Sequence, residues 1–379
     1  LTADDIVNVD DLVALDNDPS AATAPVVGAP ESLLATAQTE TREGTDAVGA
    51  ALRLVKEVAA NRPPDKGGAT RDGKTYGRWN GVVEGKEVAV VAIREAQTRV
   101  RYVVAARAQA GEGWQTLATG LYAKQAPQRG AGRIHVDLGK TSGLFAEPHK
   151  TGRVHLQFAN ASDTRQSRRV QYRDVRNEGD TTSAAWNHGM DISMEPGTGG
   201  QVRTMSVGNF AGTGDTVEAV VIRAQWRHAT GAPVDGGQGA ISTGGGSGGS
   251  GGHGGSSGGG SGVSGGGGTG GGGRADAVMV QLSPGPLARL GEMHECWDGA
   301  GQRAAYGDDL AGNDGQSPNQ GDTSQCAGMA QEQVPESAAG AQGDRDPEVD
   351  SQLRQGGADQ FTEADVDLDP TVAEPGLLE

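Results

Sequence analysis

The chain has 379 residues, of which 35% are hydrophobic, 4% are aromatic and 64 are glycines. A fully globular chain carries about 45–50% apolar residues, so part of this one lies outside any core. The formal charge of -17 argues against a basic nucleic-acid binder, and no run of about 18 apolar residues marks a membrane-spanning helix.

Residues 1–45 are rich in Asp, Ala, Thr and Pro, and contain no aromatic residue. They are expected to be disordered, because they cannot bury enough surface to offset chain entropy. Of the 14 aromatics, 13 fall between Tyr76 and Tyr306, which locates the core. Charge is segregated along the same lines. Residues 1–70 carry net -7, 71–229 net +7, 230–291 net 0 and 292–379 net -17. The acidity belongs to the ends, and the first stretch of the core is basic.

A helix is expected over 46–61. Asp46 caps it, Val48, Ala51, Leu52, Val55 and Ala59 share a face, and Pro63 and Pro64 end it. From 75 to 229 the dominant signal is alternation. Ile134, Val136 and Leu138 alternate with His135 and Asp137. Val154, Leu156 and Phe158 alternate with Arg153, His155 and Gln157. The same pattern runs through Arg165–Arg176, 186–195 and 220–227. Further strands are expected at 76–83, 87–96, 98–109, 114–124 and 201–207. One apolar and one polar face per strand is the pattern of antiparallel strands.

Gly244–Gly273 is a low-complexity tract with 21 glycines and 6 serines in 30 residues. Its Gly-x-Gly-x-x-Gly and Gly-x-Ser-x-Gly matches are products of composition, since those motifs need a strand before and a helix after. Strands resume at Ala275–Ser283 and Leu290–Trp297, the last firm one. Too few residues follow for a second domain, so the tract reads as a loop insertion in one domain, 46–330. Residues 331–379 read as a disordered acidic tail.

Local motifs for chemistry fail on inspection. Gly139-Lys140-Thr141 resembles the end of a phosphate loop, but Ile134 stands where that loop needs glycine. The segment from Ser142 to Pro148 is not expected to open a helix. His294-Glu295 begins a zinc-protease motif that Asp298 breaks. Asp365, Asp367 and Asp369 lack the glycine and glutamate of a calcium loop. No catalytic residue, metal site or cofactor is assigned. His135 and His155 would face each other if Leu138 pairs with Gly152; this pair is expected to be solvated rather than metal-binding.

Arg165, Arg169 and Arg173 share a strand face within the cluster that includes Arg168 and Arg176. They are the candidate ligand-binding residues, suited to an anionic lipid, an anionic glycan or the chain's own acidic tail. The bland alternative is a solvated face whose charge protects a sheet edge. Cys296 and Cys326, the only cysteines, are expected to pair, closing a loop of about 30 residues and implying an oxidising compartment. The alternative is two separate buried thiols. A first residue Leu1 rather than Met fits a removed signal segment and a trimmed chain equally.

Tyr76-Gly77-Arg78-Trp79, Gly132–Leu138 and Gly152–Asn160 resemble segments of uncharacterised secreted or lipoprotein-type β-rich proteins of predatory soil bacteria. So do Arg274–Ala277, Glu295–Asp298, Tyr306 and Gly321–Cys326. The resemblance spans 46–330 without the glycine tract. It implies one antiparallel β domain with paired cysteines, and it brings no activity or site residue. No lipobox cysteine occurs in the chain.

The expected fold is therefore all-β: a single antiparallel meander or barrel-like curled sheet, one short N-terminal helix and disordered termini. The expected role is a non-catalytic, secreted or envelope-associated protein binding an apolar or anionic ligand. The alternatives are a structural or adhesive surface protein, and a hydrolase with a dispersed site.

Overall fold

The computed structural model describes residues 53–59, 62–70, 72–126, 129–144, 150–162, 165–177, 186–195, 199–208, 216–227, 272–283, 285, 288–297, 303–308, 347–355 and 358. Helix α1 covers 53–59. The strands follow as β1 (Lys66–Ala69), β2 (Thr75–Val83), β3 (Lys86–Arg94), β4 (Arg99–Arg107), β5 (Gln115–Ala126) and β6 (Arg129–Asp137). Helix α2 (Leu138–Leu144) precedes β7 (Lys150–Ser162), β8 (Arg165–Asn177), β9 (Trp186–Glu195), β10 (Gly199–Gly208) and β11 (Val217–Arg227). Then come β12 (Gly272–Ser283), β13 (Ala288–Trp297), β14 (Arg303–Asp308) and helix α3 (Pro347–Gln355).

All 14 strands form one antiparallel sheet in sequence order, an open meander with β1 and β14 at its edges. The alternating residues account for this. Val90, Val104, Val136, Val154 and Ile192 are buried on one face and join a single apolar cluster. Adjacent strands are about 4.8 Å apart, so twelve of them span roughly 50 Å. Among the described residues the helices on that face are two of seven residues, each about 10 Å long, which cannot cover it; the sheet curls over its own apolar side. Helix α1 packs there through Leu54, Val55, Val58 and Ala59. Its exit is tied down where the Trp79 indole Nε1 donates to the Arg62 carbonyl at 3.0 Å. The part of the expected helix at 46–52 lies outside the described residues.

Aromatic rings fill the gaps that glycines leave across the ladder. Tyr102 lies opposite Gly120 and Phe158 opposite Gly132. A Cβ on Gly132 would stand 2.6 Å from both the Leu121 carbonyl oxygen and the Phe158 ring. These pairs hold neighbouring strands in close register.

Four expectations are corrected. Leu138–Leu144 is a helix directly after β6, because Asp137 caps it: the Lys140 backbone N–H donates to Asp137 Oδ1 at 3.0 Å. Leu290–Trp297 is not the last strand, since β14 pairs with β13 through Glu295 and Tyr306. The glycine tract ends two residues early, because Gly272 and Gly273 pair with Arg227 and Trp226. The connection 228–271 therefore joins two neighbouring strands. Lastly, residues 347–355 of the acidic end form a helix. Residues 1–45 and the Asp365–Asp369 run lie outside the described residues.

Candidate polar site on the outer sheet face

The face opposite the apolar cluster carries a polar row that crosses eight strands. Register places Arg133 beside Gln157, Gln157 beside Arg169 and Arg169 beside Asp191. The row continues through Arg203, Arg223, Asp276 and His294. Arg203 and Arg223 are directly opposed, a destabilising like-charge pair that Asp191 and Asp276 flank on either side.

Arg169 is the centre of this row. Its Nε and Nη2 donate to Asp191 Oδ1 and Oδ2 at 2.7 and 3.0 Å, a bidentate fork. Its Nη1 donates to Asp350 of α3 at 3.0 Å. Burial lowers the guanidinium's proton affinity, but the hydrogen bonds and charges of Asp191 and Asp350 outweigh it, and the pKa is raised. Arg169 is 5% exposed. The solvated edge-strand reading is thereby corrected: β8 is flanked by β7 and β9, and its central arginine is desolvated and paired.

Beside the Arg169–Asp191 pair is a cavity of about 80 Å³. Its floor is Gly189, which lies between Gln171 and Met205. No atom stands within 4 Å of where a Cβ on Gly189 would be, so the missing side chain opens the hole. Arg169, Arg173 and Arg203 line it with Asn187 and Asp191. Among the described residues that line it are three guanidiniums and one carboxylate, and Asp350 reaches Arg169 from α3. Arg173 Nη2 donates to Gln171 Oε1 at 3.1 Å.

Of the three arginines expected to act together, Arg169 and Arg173 line this cavity; Arg165 is placed in β8 beside Ser162, and its side chain lies outside the described residues. Arg168 points to the other face, where its Nη1 donates to Asn160 at 2.7 Å. Sequence reasoning missed Arg203 and Gly189. An isolated glycine inside an alternating strand was the available signal.

His135 and His155 do face each other, and Asp137 faces Arg153. The rings are 3.9 Å apart and each histidine is 8% exposed, so the pair is buried rather than solvated: each ring shields the other. No group of three or more metal-ligating side chains occurs among the described residues. His188 and Ser206 form a second buried contact, Nδ1 to Oγ at 2.6 Å. It belongs to the apolar face, and burial pushes the His188 pKa down to about 4. A base that weak and that enclosed is poorly suited to activate a hydroxyl for an external substrate.

Cys296 lies in β13 opposite Arg274 and Ala305, and no free thiol occurs among the described residues. Cys326 lies outside them. No helix among the described residues is long and apolar enough to cross a membrane. Compared with known proteins, the chain matches no protein family, no curated protein and no solved structure.

Proposed function

We propose that the chain is a non-catalytic, secreted or envelope-associated binding protein whose outer sheet face takes an anionic group in the Gly189 cavity. The observation that carries this reading is the convergence of Arg169, Arg173 and Arg203 on a hole that holds one carboxylate, Asp191. Arg169 is fixed by its two acidic partners and acts as the wall. Arg173 and Arg203 are assigned to the incoming anion.

Size selects the ligand class. Pockets for drug-sized molecules run to about 300–1,000 Å³. A cavity of about 80 Å³ suits one phosphate, sulfate or carboxylate group. The apolar ligand expected from the sequence fits less well, because Trp79, Tyr102, Phe158 and Ile134 fill the apolar face. A lipid headgroup and an acidic glycan share the required chemistry.

Titration of the full chain with inorganic phosphate tests the site. Arg173→Ala and Arg203→Ala should each weaken binding about tenfold, the effect of one charge-assisted hydrogen bond. Phosphatidylglycerol vesicles and a sulfated oligosaccharide, used as competitors, identify the source of the anion. Absence of phosphate binding, or binding indifferent to both substitutions, sinks the reading.

The compartment rests on the two cysteines and on the resemblance to secreted β-rich proteins. Pairing of Cys296 with Cys326 would tether the segment after β14 to the sheet. A non-reduced protein lighter than its reduced form by two hydrogens supports this; equal masses contradict it.

A further inference from the structure

We infer that helix α3 is an exchangeable clasp: an acidic segment of the chain's own C-terminal region, docked on β7–β9, that lowers the anion affinity of the Gly189 cavity until it is displaced. The inference rests on the anion-binding reading above and names the regulation of that site.

The docking surface is built from two kinds of contact. Val349, Leu353 and Ala358 pack against Leu121, Ala131 and Ala159. Beside them one side chain joins two strands: Gln352 Oε1 accepts from Ser167 Oγ at 2.5 Å and from Ser193 Oγ at 2.6 Å. Ser167 and Ser193 are register partners in β8 and β9, so the glutamine reads a defined spot on the sheet. Gln157 Nε2 adds a bond to the Ala358 carbonyl at 2.9 Å. The surface is therefore specific, but its apolar part is small.

A nine-residue helix is too short to hold its shape alone in water. Its order depends on docking, and docking depends on few groups. It is joined covalently to β14, so once released it stays at a high effective concentration near the sheet. Between 331 and 379, acidic residues outnumber basic ones by 13 to 2. The docked segment brings Asp350 onto Arg169, a residue that lines the cavity. An arriving anion meets a guanidinium already shared by Asp191 and Asp350, the second of which also accepts from Arg354. When α3 leaves, Arg169 keeps Asp191 alone, one negative charge is removed from the cavity wall, and the Ser167–Ser193 hydroxyls are uncovered at the next same-face pair along the ladder from Arg169.

Three full-length proteins test this: wild type, Leu353→Asp and Asp350→Asn. Hydrogen exchange over 347–355 reports docking, and titration with inorganic phosphate reports affinity. Leu353→Asp should abolish protection of the helix and tighten phosphate binding about tenfold. Asp350→Asn, which keeps the packing, should tighten it about threefold. A released helix with unchanged phosphate affinity overturns the clasp and leaves the cavity reading standing. A helix that stays protected in Leu353→Asp also overturns it. Failure of all three proteins to bind phosphate, with the helix shown to be released, removes the cavity reading and the clasp together.

Discussion

Asp350 and Arg169 lie 181 residues apart in the chain and are joined by a hydrogen bond of 3.0 Å. The contact links the acidic end of the molecule to the middle of its sheet. It also explains how a strongly acidic chain keeps a basic strand buried. Arg169 is 5% exposed and is held by carboxylates from β9 and α3, so its desolvation is offset on both sides.

The aromatic–glycine pairs of the apolar face predict opposite effects at two glycines. Gly132→Ala should destabilise by about 1–3 kcal/mol, because the new methyl meets the Leu121 carbonyl and the Phe158 ring. Gly143→Ala should stabilise by about 0.5–1 kcal/mol, because it lies in α2 with nothing within 4 Å of its Cβ position. Denaturant midpoints of the two variants check the pair. A neutral Gly132→Ala would mean that these strands are not in close register.

Much of this architecture was legible in the sequence. Val154, Leu156 and Phe158 alternate cleanly, and their strand is where periodicity placed it. The His135–His155 register followed from the hairpin geometry. β1 was missed because Lys66-Gly67-Gly68-Ala69 is exposed throughout and shows no alternation. α3 was missed because two apolar residues, Val349 and Leu353, make too narrow a stripe to stand out from an acidic segment. The cavity could not be read at all. It depends on the register of three strands, which brings Arg203 beside Asp191 and Met205 beside Gly189.

The connection between β11 and β12 should be dispensable for the fold. Deleting 244–271 leaves 228–243 to join strands that already pair at Arg227 and Gly272. Loop entropy grows only logarithmically, so the gain should be at most about 1 kcal/mol. Loss of cooperative unfolding on deletion would show that the tract contributes to the core.

Pairing of Cys296 with Cys326 predicts a stability difference. The loop it would close is about 30 residues long, worth roughly 3–4 kcal/mol in the chain-entropy model. Cys296→Ser should lower the unfolding free energy by an amount of that order, and the loss should equal that caused by reductant on the wild type. A reductant-insensitive wild type contradicts the pairing.

His188 predicts an acid limb in the stability profile. Burial holds its pKa at about 4 against 6.5 for an ordinary histidine. The unfolded chain therefore binds the proton first as pH falls. The associated stability is intact above pH 6.5 and is lost progressively toward pH 4, amounting to about 3 kcal/mol. Replacing His188 with Phe should flatten the profile across that window. An unchanged slope would place the acid sensitivity elsewhere.

The central claim is that the hole over Gly189 binds an anion, and Gly189→Val tests it most directly. A side chain there meets no atom within 4 Å of its Cβ position, and valine suits a strand better than glycine. The substitution should therefore fill the cavity without harming the fold. Isothermal titration with inorganic phosphate should show binding at least tenfold weaker, at a melting temperature equal to or above that of the wild type. Wild-type phosphate affinity in a folded Gly189→Val protein would contradict the account.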